Sequence, residues 1–429
     1  MNYIKKLFPQ WTKNLYHLLK AVVANLYFGF PSRRIKVIGV TGTDGKTTTV
    51  QMIAKILEEA GEKIAVASTI NFKVGDDEWV NETKFTTLSA WGVQAFLNRA
   101  VKENCSVVVL ETSSHSLDQF RVWGVDYDTA VVTNVTREHL DYHKTMEKYR
   151  RAKRKLFEKS KTLIVNLDME NPSEFLNLPA KKRYAYSTDE NKLEVHVINE
   201  NCEFVLAKDV FLEMGGSEFV INEHNFKLNI PGKFNIENAL AAICVAFSED
   251  IRMDYMIRAL EKIQGVPGRM EQVENDRSVD IVIDYAVTPN ALKKLYELVG
   301  EIKSKREGSK IISVFGSCGD RDRGKRPIMG RIVSEMADTV IVTNEDPYTE
   351  DPQRIIDEVA SGVKNKKEGE NFFKIMDRRE AIKKALENAR AGDIVLVTGK
   401  GAEEKMMIGH EMVDWNDKKV IQEELQKLS

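Results

Sequence analysis

The sequence predicts an α/β fold built from two mostly parallel sheets in tandem, and three observations carry that prediction. From Ile35 onward, short β-branched runs alternate with longer amphipathic ones. The same alternation restarts near residue 280. Between the two blocks lies QGVPGRME, residues 264–271, with Gly and Pro where a joint between domains is expected. The chain has 429 residues, of which 42% are hydrophobic, enough to build more than one core.

In chain order, the first element is a helix. The opening MNYIKK leads into an apolar-rich stretch, but Lys13, His17 and Lys20 interrupt it, so it does not read as a signal peptide. Between Thr12 and Phe28, Leu15, Leu18, Leu19, Val22 and Leu26 recur at helical spacing, and Gly29 with Pro31 supplies a stop. Two readings stand: the helix packs on the body of the protein, or it lies on a membrane surface. No stretch is long and apolar enough to span a bilayer.

Strands are expected at IKVIGV, KIAVAST, CSVVVLE, TAVVTNV and KTLIVN, with helices over 46–60, 88–103 and 144–159. Residues 182–230 change character: EVHVI, EFVLA and EFVIN, separated by NEN and MGGS, predict antiparallel hairpins. An alanine-rich helix follows at 235–248, and after the joint come the strands IVIDYA, KIISVFG, TVIVTNE and DIVLVTG. The expected division is a helical arm (1–34), a central domain (35–265) and a C-terminal α/β domain (266–429).

Charge and cysteine usage narrow the functional class. Lys+Arg 63 against Asp+Glu 65 gives a net charge of -2, so no global basic field favours nucleic acid. Cys105, Cys202, Cys244 and Cys318 show no CxxC spacing, which argues against a zinc site or a disulfide framework and fits a reducing cytoplasm.

The chemistry concentrates in VTGTDGKTTT, residues 40–49. The general phosphate-loop pattern GxxxxGK[ST] fails, because Val40 stands where its first glycine belongs. The physical requirement is looser: a strand, a loop tolerant of positive φ, inward backbone N–H groups, a lysine and a helix N-terminus. Gly39, Gly42, Gly45 and Lys46 meet it, and Thr47 offers a hydroxyl for magnesium. Asp44 is out of place beside phosphates and must point away. Glu111 ends the strand CSVVVL, where ligands of α/β sheets collect, and a carboxylate there suits magnesium. TNVTREHLDYH brings His139, Asp141 and His143 to the same edge.

These residues resemble the Mur ligases, which build the peptide of bacterial cell-wall precursors. The likeness runs through GVTGTDGKTTT, ETSSHSLDQFR, TNVTREHLDYHKTMEKYRRAK, GKFNIENALAA, VPGRME, IDYAVTP and GSCGDRDRGKRPIMG, from about residue 35 to the end. It is strongest to the members that add a diamino acid, the tripeptide synthetases. The resemblance implies a P-loop-type ATP-binding central domain with a mostly parallel sheet and a small antiparallel section, followed by a Rossmann-like C-terminal domain. It implies a reaction in which ATP phosphorylates the carboxylate of UDP-N-acetylmuramoyl-L-Ala-D-Glu and the amine of an amino acid attacks the acyl phosphate.

Site roles follow from the same resemblance. Gly42, Thr43, Gly45, Lys46, Thr47 and Thr48 would hold the ATP phosphates, Arg269 would reach the γ-phosphate, and Asn235, Asn238 and Asp284 would contact adenosine. Thr47, Glu111 and His139 would bind Mg2+, joined by Lys153 once carbon dioxide has converted it to a carbamate. Read in isolation, Lys153 in RRAKRK would pass for a solvated helix face. Thr86, Thr87, Ser113, Gln119 and Arg121 resemble contacts to the muramoyl peptide, and Arg321, Asp346, Tyr348, Gly399 and Glu403 resemble contacts to the incoming amino acid.

Several departures set further expectations. Tripeptide synthetases begin with a domain that holds uridine diphosphate, whereas only about 34 residues precede the core here. The acceptor is then either UDP-linked and weakly held, or presented differently, for example on a lipid near the N-terminal helix. Where diaminopimelate-adding members carry DNPR, this chain reads EDPY at 345–348. Tyr348 cannot supply the arginine's charge-assisted fork. Asp346 would suit an ammonium, which favours lysine or ornithine. Val287 and Ala402 replace two family histidines. The alternatives are the same chemistry on a folylpolyglutamate or cyanophycin-like acceptor, or a nucleotide-binding protein without catalysis. A monomer is expected.

Overall fold

A computed structural model describes residues 10–81, 83, 86–192, 202–213 and 215–428. Helix α1, Gln10–Phe28, leads into strand β1, Lys36–Thr41, the centre of a nine-stranded sheet. The sheet continues with β2 (Ile64–Ala67), β3 (Asn71–Val74), β4 (Asp77–Val80), β5 (Val107–Glu111), β6 (Thr129–Val132), β7 (Thr162–Asn166), β8 (Lys182–Ser187) and β9 (Cys202–Leu206). Its order is β4-β3-β2-β5-β1-β6-β7-β8-β9, parallel except at β3 and β4. Strands buried on both faces are continuous apolar runs, which is why VVVLE and TAVV read so clearly.

Helices cover both faces. On one side lie α2, Lys46–Glu59, and α5, Lys233–Ser248; on the other lie α3, Ala90–Lys102, and α4, Met146–Phe157. Helix α5 is apolar nearly all round, as a helix buried on every side must be, so Asn235, Glu237 and Asn238 stand out as polar groups held inside.

The hairpins expected over 182–230 are only partly present. EFVLA pairs in parallel with β8 and so joins the main sheet. Antiparallel pairing begins with β10 (Lys208–Glu213), β11 (Gly216–Ile221) and β12 (His224–Leu228), which include EFVIN. EVHVI lies outside the described residues. A second antiparallel section, β3–β4, formed without a clear signal because Asp77, Glu78, Trp79 and Val80 are all exposed.

After the joint, β13 (Glu271–Val273), β14 (Asp280–Asp284), β15 (Ile311–Phe315), β16 (Thr339–Thr343), β17 (Phe372–Ile375) and β18 (Ile394–Thr398) form a six-stranded sheet. The order is β13-β14-β18-β15-β16-β17, with β13 alone antiparallel. Helix α6, Pro289–Ser304, packs between this sheet and the central part; Thr288 caps it through Ala291 N. No described helix is long and apolar enough to cross a membrane.

Helix α1 contradicts the expected packing face. Ala21, Ala24 and Asn25 are buried, while Leu15, Leu19 and Leu26 point outward. The helix does pack on the body, with Leu18 and Val22 half-buried beside its small and polar residues, and Asn25 Nδ2 donates to the Trp123 carbonyl at 2.8 Å.

Candidate functional site

The site begins where β1 stops. The register Val40↔Glu111 between β1 and β5 sets the phosphate loop beside Glu111 at one sheet edge. Gly42 has φ 157, and a Cβ there would lie 1.9 Å from Thr133 Oγ1; Gly45 has φ 80, and a Cβ would meet Asn238 Oδ1 at 2.3 Å. Only glycine fits either place. Gly39, grouped with them by sequence, belongs instead to β1, where a Cβ would lie 2.7 Å from Leu156 and Tyr127. The early glycine therefore serves strand–helix packing, and the loop proper runs from Gly42 to Lys46.

Thr47 Oγ1 donates to Glu111 Oε2 at 3.0 Å, and Thr69 donates to the same carboxylate through its N–H at 2.8 Å and its hydroxyl at 2.9 Å. Thr69, which sequence reading passed over, lies two residues beyond β2, the strand next to β5; the edge rule that singled out Glu111 applied equally to it. Lys46 Nζ donates to Thr43 O at 2.8 Å. Lys153 is buried, with Nζ donating to Gly42 O at 2.6 Å and lying 4.6 Å from the Tyr149 ring centroid. Burial, followed by the charge of Lys46, holds its pKa well below the usual lysine value. The solvated-face reading of RRAKRK thus fails at this one position.

His139 takes a left-handed φ of 56 and stacks edge-on with His115 at 4.6 Å between centroids. Burial, then the neighbouring His115, keeps His139 well below its ordinary pKa, so its ring is neutral and has a lone pair to give. His143 instead shares a hydrogen bond with Ser114 Oγ at 3.0 Å. No three His, Cys, Asp or Glu groups converge as a ready-made metal cage among the described residues.

A cavity of about 280 Å³ opens above the loop. Thr43, Gly45, Lys46, Thr47, Thr48, Glu111 and His139 line one wall, and Asn235 and Asn238 a second. Across the joint stand Arg269, Asp284, Arg321, Asp346, Tyr348 and Glu403. Asn238 Nδ2 donates to Asn235 Oδ1, and its own Oδ1 accepts from Thr49. Arg269 lies over the Tyr285 ring at 4.4 Å. Asp284 accepts from Met270 N at 2.8 Å, and burial raises its pKa to about 6. A second cavity shares Thr69, Arg269, Tyr285 and Glu403 with the first, and Ala402 lines it, whereas Val287 lines the first.

The acceptor candidates are less well gathered. Thr86 lines the cavity; Thr87, Ser113, Gln119 and Arg121 do not. Thr87 Oγ1 donates to Glu111 O at 3.0 Å and approaches Ser113 Oγ, which caps a short helix through Ser116 N. Arg121 Nη1 donates to Thr87 O, and the Gln119 backbone closes the same helix.

At the amine end one expectation is corrected. Asp346, read as a free carboxylate for an incoming ammonium, already accepts from Lys400 Nζ at 2.9 Å and from Met407 N at 2.6 Å. Lys400 also bonds Glu403, and both Lys400 and Asp346 are buried. A partner brought by the fold has taken the place reserved for the ligand. Tyr348, at φ 50, lies under Arg321 with 5.1 Å from guanidinium to ring centroid. Gly399 stands behind, where a Cβ would meet Glu345 at 2.5 Å.

The two halves meet through pairs that the sequence did not announce. Lys325 Nζ bonds Glu138 at 3.0 Å and the Val287 carbonyl at 2.8 Å, with both charges buried. Lys294 bonds Glu237 at 2.9 Å. Asp44 accepts from Thr288 at 3.0 Å and from Asn290 at 3.2 Å, which answers where its carboxylate points. Each residue but Lys294 sits in or beside a quoted motif, but only folding discloses the partner.

Fold and site together define a two-domain, nucleotide-dependent ligase, with a phosphate loop on one parallel sheet closed by a second. Residues 40–246 match the Mur ligase middle domain and residues 268–401 the Mur ligase glutamate ligase domain. The chain is 38% identical over 416 residues to a UDP-N-acetylmuramoyl-L-alanyl-D-glutamate--2,6-diaminopimelate ligase of Syntrophomonas wolfei, covering 94% of this chain and 81% of that protein. A UDP-N-acetylmuramyl-tripeptide synthetase of Roseiflexus sp. is 39% identical, with 92% and 80% covered. A solved structure with the same name as the first of these is 32% identical at a TM-score of 0.60, covering 92% of this chain and 79% of that one. MurF of Acinetobacter baumannii shares the fold at a TM-score of 0.67 and 16% identity, with 95% and 80% covered. The chain belongs to the Mur ligase family of ATP-dependent, ADP-forming ligases.

Proposed function

We propose that this ligase adds a diamino acid to the D-Glu carboxylate of UDP-N-acetylmuramoyl-L-Ala-D-Glu in peptidoglycan precursor synthesis. The observation that carries the reading is the facing of two walls: Lys46, Thr47, Glu111 and His139 on one, Arg269, Asp284 and Arg321 on the other, around one cavity. Two anions, a triphosphate and a carboxylate, must meet there, so positioning and neutralisation dominate the catalysis. Lys46 and the loop N–H groups hold phosphate, Arg269 supplies charge from across the joint, and Asp284 and the Asn235–Asn238 pair face the nucleoside. The second cavity, which shares Thr69, Arg269, Tyr285 and Glu403 with the first, would take the sugar-nucleotide side of the acceptor.

Thr47, Glu111 and His139 fit magnesium: a hydroxyl and a carboxylate 3.0 Å apart beside a neutral imidazole. These residues would hold such an ion, and the chemistry it would supply is charge neutralisation of the reacting oxygens. Lys153 fits carbamylation, since a buried lysine of lowered pKa is a neutral amine able to take up carbon dioxide. With Asp346 held by Lys400, the argument for lysine or ornithine from that carboxylate falls away. Glu403 is paired with Lys400 in the same way, so Tyr348 remains the group that meets the distal end of the amino acid. The enzyme acts as a cytoplasmic monomer.

The test is phosphate release from ATP with the UDP-linked muramoyl dipeptide and a panel of lysine, ornithine and diaminopimelate. Release that requires both acceptor and amine is expected. Turnover indifferent to the muramoyl dipeptide would replace this reading with a folate-like or cyanophycin-like acceptor.

A further inference from the structure

Helix α1 wears its polarity inside out. Against the body it sets Ala21, Ala24 and Asn25, with Leu18 and Val22 half-buried beside them, together with Asn14, whose Nδ2 donates to Asp118 O. Outward it presents Leu15, Tyr16, Leu19, Val23, Leu26 and Tyr27, between 48 and 72% exposed. Trp91 extends the patch, 5.0 Å from Tyr27 between ring centroids and 45% exposed. A helix whose only task is packing shows the reverse arrangement. A contiguous apolar face with aromatic residues at its margin marks an interaction surface.

Charge identifies what covers it. The first 43 residues hold seven basic side chains, Lys5, Lys6, Lys13, Lys20, Arg33, Arg34 and Lys36, and the first acidic residue is Asp44, in a chain of net charge -2. Arg33 pairs with Asp126 and Lys36 with Glu249, so Lys13 and Lys20 on the helix carry the argument. A two-fold contact between copies would set this basic segment against itself, which opposes self-association. An anionic bilayer offers the complement to both features at once, acyl chains for the apolar face and phosphates for the lysines and arginines.

We propose that the outward face of α1 docks this protein on an anionic membrane surface, with Leu15, Leu19, Val23 and Leu26 entering the boundary between headgroups and acyl chains. The binding is peripheral, since the helix is not a membrane span. It places the ligase at the surface without involving any residue of the cleft, so it stands or falls separately from the assigned substrate.

The test is co-sedimentation of the full chain with vesicles of phosphatidylcholine alone or mixed with phosphatidylglycerol, at low and high salt. Binding to the mixed vesicles only, reduced by salt, is expected. The double variant Leu19→Asp/Val23→Asp should bind at least about tenfold more weakly, and Lys13→Glu/Lys20→Glu should lose roughly fivefold per residue. Phosphate release in solution should be unchanged in both, which separates docking from misfolding. Failure to bind mixed vesicles, or unaltered binding by Leu19→Asp/Val23→Asp, overturns the proposal. So does a dimer in sedimentation velocity that the same double variant dissolves while no vesicle binding is seen.

Discussion

The phosphate end and the amine end of the cleft are built on opposite plans. At the phosphate end, backbone geometry sets the site: Gly42 and Gly45 have conformations that side chains resist, and Glu111 is placed by strand register. At the amine end, side chains answer one another: Lys400 binds Asp346 and Glu403, Cys318 donates to Glu345, and Arg321 covers Tyr348. A backbone-built site tolerates little drift in sequence, so it keeps a motif. A site made of mutually compensating side chains can be rewritten while staying neutral and satisfied, so the same positions carry different specificity.

The sharpest way to test the comparison is to strike each end once. Lys153→Ala should lower turnover by about 10³-fold, the scale of removing a preorganised electrostatic group, with partial recovery on adding short carboxylates. Full rate in that variant would sink the carbamate. At the other end, Lys400→Met leaves Asp346 charged and buried, and should cost about 3–5 kcal/mol of stability, read by denaturant unfolding. Lys400→Met/Asp346→Asn should recover most of that loss; failure to do so would show the pair is not the dominant contact.

Smaller effects refine the picture. Tyr348→Arg should shift the preference between diaminopimelate and lysine toward diaminopimelate by about tenfold, the worth of one charge-assisted contact, measured as a ratio of kcat/KM. Asp284 joins the two ends, facing Arg269 and, farther off, Asp44. Its folded pKa of about 6 lies above the ordinary 3.8, so its contribution to stability is complete below pH 4 and is lost as pH rises through 6. Asp284→Asn should therefore stabilise the protein at pH 8, on the order of 1–2 kcal/mol, with the gain vanishing below pH 4. ATP affinity should fall in the same variant, and wild-type affinity should weaken as pH drops below 6. Last, Asp44→Ala removes two hydrogen bonds across the joint and should raise the KM for ATP a few-fold, at about 1 kcal/mol.

The α/β architecture with mostly parallel sheets and the phosphate loop around Gly42, Gly45 and Lys46 were legible because periodicity and backbone demands are local; the strand order and the place of Gly39 inside β1 were not. The parallel return of EFVLA was not, since a strand's partner depends on the crossover rather than on its own residues. Thr86, Thr87 and Ser113 were read together as acceptor contacts, but Thr86 alone lines the cavity while Thr87 and Ser113 bond to each other and to main chain, a distinction of side-chain direction that spacing does not encode.

By itself the sequence determined the family, through its run of motifs, and the phosphate loop, because glycine φ angles, strand runs and helix starts are properties of short segments; the nucleotide-side residues were what the family resemblance implied. Only the tertiary structure decided which charges are already paired, such as Asp346 with Lys400 and Glu138 with Lys325, and which face of α1 meets solvent. Those are relations between segments far apart in the chain. A charge's partner and a helix's neighbour exist only once the sheets have brought them together.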